Sequence, residues 1–397
     1  MARGVLGDIR VLDFGRFISA PYCGMLLADM GAEVIRVERP GGEDDRYIGL
    51  KAGNGENFVY PGLARNKKAI TLDTLSAEGR GVLVDLVRSS DVFLHNFSPG
   101  AAKALRLTYE AIQEIKPDII YTGISCYGTQ GPYAERTGFD PIAQVSSGAV
   151  ALTGLDEMPM RSGVPWVDYS TGLCAAIGTL LALRHRDIAG QGQAVDCALL
   201  QTAVSFTAPM IAEAVVAGKQ RPRLGNRVPY LGPADLYRCR DGYVYIATGT
   251  QAMWASLMKL IGHPHLVDAP HLRTDEQRFE HRDEVDPLVE RWMERHTMEE
   301  IAAAMEAARI PCGIYRTTAE VPDDPQVRAR RMLEYLDLEV PGLERVPVSG
   351  LPIRLSRTPG ALVARAPRVA EHNQDVYGRI LGYSGDRITL LRANGVI

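Results

Sequence analysis

A lone carboxylate, Asp168, stands at the entrance to an apolar run in RSGVPWVDYSTGLCAAIGTLLAL (161–183). An Asp before such a run is ordinarily a helix cap or a first-turn acid, because free backbone N–H groups and the helix dipole favour negative charge there. The same N–H groups would keep the carboxylate ionised, and an ionised carboxylate can be a covalent nucleophile. Ser170 and Thr171 offer further donors, and the flanking GVPWV would shield a reactive acyl group from water. Residue types alone leave both readings open.

Other residues could hold a substrate. Arg36, Arg39 and ARNKK (64–68) sit at or beside the ends of candidate strands. Asn96 and Phe97 end another, followed by Pro99, Gly100, Lys103 and Arg106. Singly, each charge is a solvated loop residue; gathered on one loop face they would suit a phosphate-bearing cofactor. Phe97 would either stack on a base or close its strand into the core. Asp140 opens a helix in GFDPIAQVSSGAVALTG (138–154), where an N-cap is the ordinary role. Gly249, in the turn ATGTQ (247–251), would let backbone amides approach a ligand closely.

Several chemistries lack their signatures. No GxGxxG follows the first strand and no GxxxxGK[ST] occurs, so neither a dinucleotide fingerprint nor a P-loop is present. GISCYG (123–128) misses the spacing of a GxSxG elbow. His263 and His265 lie in a Pro-containing loop without a third ligand nearby in sequence, which reads as a surface turn and not a metal site. The net charge of −4 argues against a nucleic-acid partner. Six scattered cysteines without a CxxC predict no disulfide framework and a reducing compartment. The opening MARGVLGDIRVLDFG carries no signal-peptide core, and no run reads as a membrane span, so a cytoplasmic protein without a membrane partner is expected.

The elements that must position these residues alternate. Strands at 9–15, 33–40, 68–73, 91–97, 118–125 and 193–199 are interleaved with helices at 19–32, 77–90 and 108–117. That alternation predicts a parallel sheet covered on both faces, with ligands bound beyond the strand ends. A Gly-, Pro- and Arg-rich linker (217–233) precedes a hairpin turning at Asp241-Gly242 and helices at 251–262, 282–296 and 297–310. The expected fold class is therefore α/β. A large Rossmann-like domain (1–216) is followed by a small α+β domain (234–330) and a C-terminal return to the large domain (331–397).

Taken in order, the blocks GVLGDIRVLDFGRFISAPYCGMLLADMGAEVIRVERPGGEDDR, RNKKAITLDTLSAEGR, NFSPG, GISCYGTQGPY, GFDPIAQVSSG, VDYSTG, LGNRVPYLGPADLYRCRDGYVYIATG and LGYSGDRITLLRANGVI resemble the class III CoA-transferases, the family of formyl-CoA transferase and crotonobetainyl-CoA transferase. The resemblance covers nearly the whole chain. It implies that Asp168 attacks an acyl-CoA thioester and passes through a mixed anhydride and an aspartyl-CoA thioester to a carboxylate acceptor. It implies CoA as a substrate, with no permanently bound cofactor and no metal. It places CoA against Arg39, Asn66, Lys68, Asn96, Phe97 and Lys103, with Arg106 and Arg136 beside them. It gives Asp140 and the Gly249 turn catalytic roles, and it implies an interlocked homodimer.

The chain departs from formyl-CoA transferases in two places. ATGTQ has one glycine where they carry a glycine-rich run, and Ile18 stands where they carry Gln. Larger acyl groups, of dicarboxylic or branched acids, are expected. Related 2-methylacyl-CoA racemases carry a His in a GHD segment; here the segment is GFD, and Phe139 cannot move a proton, which favours a transferase.

Overall fold

The computed structural model describes residues 4–53 and 55–397. They form two compact units. The larger comprises residues up to Ser147, Gly163–Thr207 and Pro325–Ile397. Its ordered elements include β1 (Arg10–Asp13), α1 (Ser19–Asp29), β2 (Glu33–Glu38), β3 (Lys68–Thr71), α2 (Ala77–Arg88), β4 (Val92–His95), α3 (Pro99–Ala104), α4 (Tyr109–Ile115), β5 (Ile120–Ser125), α5 (Asp140–Ser146), α6 (Trp166–Ala189) and β6 (Ala194–Ala198).

The six strands make one parallel sheet in the order β3-β2-β1-β4-β5-β6. β1, β2, β4 and β5 are almost wholly buried, as strands covered on both faces must be. Successive side chains point to opposite faces. Leu12, Ile35, Ile70 and Phe93 thus join one core with Leu83 and Leu86 of α2. Val11, Val34, Val92 and Leu94 join another with Leu26 of α1 and Ala175 of α6. The strand order reverses between β1 and β4, which opens a crevice at their carboxyl ends.

Gly172 sets the approach of α6 to α1. A Cβ on it would lie 2.6 Å from the Ser19 carbonyl oxygen. The missing side chain lets α6 lie against the first residue of α1, one turn beyond Asp168.

A buried ion network shapes the loop after β1. Arg36 donates to Asp45 Oδ1 (2.7 Å), Glu38 Oε1 (3.1 Å) and the Gly15 carbonyl (3.1 Å). Arg46 forks onto both oxygens of Glu38 (2.7 and 2.6 Å). Asp45 Oδ2 accepts the Phe17 N–H at 2.9 Å and holds that residue at a left-handed φ of 62°. Arg36 is therefore a structural cation. Removing one partner of such a pair strands the other charge in the core. Arg46→Met is expected to cost about 3–5 kcal/mol, read as a lower midpoint in denaturant unfolding.

The last segment, Pro325–Ile397, packs within the larger unit, where the Tyr377 hydroxyl donates to the Thr71 carbonyl at 2.6 Å. The smaller unit comprises Gly148–Ser162 and Ala208–Asp324. Its sheet joins the hairpin β7 (Ala234–Arg238) and β8 (Tyr243–Ala247) to β9 (Cys312–Ile314). The helices α7 (Gln251–Leu260), α8 (Arg282–Met293) and α9 (Met298–Ala307) pack around the buried Trp254. The sequence-based boundary at 216 differs from this division. Residues 148–162 fall in the smaller unit because Gly154 and Leu155 offer their carbonyls to Gly225 N–H and Arg223 Nε, both at 2.9 Å.

One expectation is corrected. Trp166–Ala189 and Leu199–Val216 are both long and apolar enough to cross a membrane. In the first of these, Val167, Ala175, Ala176 and Leu183 belong to the core beneath the sheet, so α6 is a core helix.

Candidate active site

Asp168 lies in the first turn of α6, half-buried, on the wall of a cavity of about 390 Å³. The cavity occupies the crevice at the carboxyl ends of β1, β4 and β5. Arg16 and Phe17 line it from the loop after β1, Asn96 and Phe97 from the loop after β4, and Arg136 and Phe139 from the loop before α5.

The helix amides do not hold Asp168. The carboxylate that takes them belongs to Asp140, only 2% exposed, whose Oδ2 accepts the N–H groups of Val167 (2.8 Å) and Asp168 (3.1 Å). Its Oδ1 accepts Gln144 Nε2 at 2.5 Å. Asp140 thus caps α6 and leaves its own helix without a side-chain cap. The expectation that free N–H groups would keep Asp168 ionised is overturned, because those groups are spent. Burial, and then the Asp140 charge, lift the Asp168 pKa to about 7, against a hydrogen bond from Ser19.

Ser170 and Thr171 do not serve as donors either. The Ser170 hydroxyl turns back onto the Trp166 carbonyl at 2.7 Å, and the Thr171 hydroxyl is buried without a partner among the described residues. Ser19, delivered by the close α1–α6 packing, is the donor that sequence reasoning missed. Its contact spans two helices and leaves no spacing to read. Cys126 also lines the cavity, but burial pushes its thiol pKa up, so it is a poor nucleophile near neutrality.

The residues expected to hold CoA divide. Asn96 clamps the loop after β1, accepting Arg16 N–H at 2.8 Å and donating to the Arg16 carbonyl at 2.7 Å. Phe97 closes its strand into the core and also faces the cavity, with the Arg16 guanidinium 5.3 Å from its ring centre. Arg136 stacks over Tyr133 at 3.9 Å. Lys103 lines a neighbouring cavity of about 340 Å³ that shares Phe97 as a wall. Arg106 is exposed nearby with a left-handed φ of 52°. Arg39 follows β2 at the carboxyl end and pairs with Asp44 on the surface.

Asn66 and Lys68 are not brought to the cavity. They sit at the amino end of β3, the opposite edge of the sheet. Asn66 grips the C-terminal segment through the Ala361 carbonyl and the Val363 and Ala364 N–H groups. Lys68 pairs with Glu33 and Asp375. Gly249 follows β8 in the smaller unit; a Cβ there would meet only an ordinary contact, 3.8 Å from Leu231. Ile18 packs against the core, and Phe139 meets Phe17 edge to face at 5.8 Å.

An unpaired carboxylate in a crevice beside two guanidinium groups and several amide and hydroxyl groups suits acyl transfer from an anionic thioester. Comparison with known proteins gives the family. A succinyl-CoA–D-citramalate CoA-transferase from Chloroflexus aurantiacus is 34% identical, over 99% of this chain and 98% of the relative. A formyl-CoA:oxalate CoA-transferase from Streptomyces avermitilis is 32% identical, over 99% of each chain. The crystal structure of a CAIB/BAIF family protein from Brucella suis superposes with a TM-score of 0.84 at 31% identity, covering 95% of this chain and 100% of that one. The model of CoA-transferase family III matches residues 6–373, and the chain belongs to that family: it is a class III CoA-transferase.

Proposed function

We propose that the protein moves CoA between dicarboxylic acids through covalent intermediates on Asp168. The observation that carries this reading is the Asp168 carboxylate itself. It lines the crevice cavity and, among the described residues, has no cation paired to it. A carboxylate oxygen attacks the thioester carbonyl; a C–O bond forms, the C–S bond breaks and CoA leaves as thiolate. The thiolate then attacks the Asp168 carbonyl carbon of the mixed anhydride, and the first acid departs as a carboxylate. The acceptor acid reverses these two steps. No proton is gained or lost overall, which suits a site without a paired acid and base.

Citramalate and oxalate, named for the two relatives, are both dicarboxylic acids. The edge-to-face pair of Phe17 and Phe139 forms one wall of the cavity; Arg136 supplies positive charge there, and Arg16 shares its charge with Glu43 at 3.0 Å. CoA is assigned to Asn96, Phe97 and Arg136, with Lys103, Arg106 and Arg39 outside them on the carboxyl-end face. Asn66 and Lys68 are assigned to the fold. A homodimer is part of the reading: Leu181 and Ile188 of α6 are 66% and 70% exposed, and a second copy would cover them.

The test is trapping. The protein is incubated with succinyl-, acetyl-, mesaconyl- or crotonyl-CoA, treated with hydroxylamine or borohydride, and the modified peptide is mapped by mass spectrometry. Succinyl-CoA is expected to mark Asp168. Solvent deuterium entering the α-carbon without any mark on Asp168 would favour a racemase instead.

A further inference from the structure

Asp140 is almost wholly buried and does not line the cavity, so it touches no substrate. Yet its Oδ2 binds the backbone N–H of the very residue whose side chain reacts. Two carboxylates therefore share one helix terminus. One is locked onto the amides of Val167 and Asp168 and onto Gln144, and the other is left facing the cavity. The other groups around Asp168 are Ser19 from α1, Cys126 from the loop after β5 and Tyr169 beside it on α6. Arg16, its charge offset by Glu43 at 3.0 Å, and Arg136 stand on the same cavity wall. Asp140 is the like charge among them.

We propose that Asp140 is a positioning residue that drives acylation of Asp168: it repels the free carboxylate from a fixed point, and the repulsion ends when that carboxylate is acylated. The inference rests on the nucleophile reading above. Charge is conserved through the step. The negative charge on the Asp168 oxygen passes, as the C–O bond forms and the C–S bond breaks, to the CoA thiolate. It then passes to the departing acid, which diffuses away. Asp140 is unchanged throughout. Two amide donors and the α6 dipole face Asp140 and none faces Asp168, so Asp168 is the partner that yields.

The consequence is quantitative. Protonation and acylation remove the same charge from the same group. Whatever Asp140 adds to the affinity of Asp168 for a proton, it adds equally to the stability of the acylated form. Raising the pKa by one unit through this repulsion would raise the acylation equilibrium about tenfold.

Asp140→Asn keeps the shape and an acceptor oxygen for the amides but removes the charge; Asp140→Thr is a second uncharged cap. In both, the pH midpoint of kcat/KM is expected to fall by about one unit. The fraction of Asp168 trapped as the CoA thioester, after mixing with succinyl-CoA and acid quench, is expected to fall about tenfold with it. Loss of transfer with both the midpoint and the trapped fraction unchanged would overturn the proposal and leave Asp140 a structural cap. A native protein in which Asp168 is never trapped would overturn the nucleophile reading and this one with it.

Discussion

Asp168→Asn is expected to lower CoA transfer by about four orders of magnitude or more, the scale on which loss of an enzyme nucleophile acts. CoA binding is expected to survive, because the proposed CoA contacts Asn96, Phe97 and Arg136 are untouched. The same substitution is expected to raise the stability of the fold. Asp168 has a folded-state pKa of about 7, above the ordinary carboxylate range. A group raised in this way contributes stability below its unfolded pKa and loses that contribution as pH rises through the folded one. At pH 8 the charged side chain is therefore a burden on the native state, and asparagine removes it. We expect a gain of about 1 kcal/mol at pH 8, shrinking toward pH 5, when thermal unfolding is followed at both values. Because this carboxylate is half-buried, the gain is smaller than the full pKa shift would give. A variant that is inactive and less stable at both pH values would show Asp168 to be a structural cap.

The second large effect is on pH dependence. On the proposed mechanism only the ionised carboxylate attacks, so kcat/KM should rise with pH through about 7 and level off above about 8. At pH 6 it should be about one-tenth of the plateau. The acceptor enters only the second half-reaction, so its ionisation adds no limb to kcat/KM for succinyl-CoA. The measurement is kcat/KM for succinyl-CoA between pH 5.5 and 9. A profile flat down to pH 5.5 would mean that Asp168 is held charged in the free enzyme, against the burial and the Asp140 charge that surround it.

The elements of the sheet were legible in the sequence because their signals are local. Strand runs such as IRVLDFG and DVFLHNF, and the helix of SAPYCGMLLADMGA, state their periods within a dozen residues. The strands appear in the structure a residue or two shorter at each end, and the helix starts at Ser19 as expected and stops three residues early, at Asp29. The alternation then implied a parallel sheet and a crevice at its carboxyl edge, and the cavity lies there. Edge position was harder to see. ARNKK follows a helix and begins a strand, which puts Asn66 and Lys68 at the amino edge. In sequence they were indistinguishable from basic residues that follow a strand, such as Arg39. Arg36 looked like a loop-face cation, yet it is buried, because Glu38 and Asp45 are close enough to neutralise it.

Asp168 and Asp140 show the boundary most plainly. By itself the sequence determined that a solitary acid would stand at the head of an apolar helix, and that a second would open a shorter one. Both facts follow from residue order over a few positions. It could not decide which carboxylate would take the free amides of α6. That choice depends on the packing of α5 against α6, on Gly172 letting α1 close in, and on Ser19 arriving with it. These contacts join residues far apart in the chain, and their energies come from burial and charge in three dimensions. Tertiary structure alone made Asp140 the cap and left Asp168 exposed to the cavity with a raised pKa.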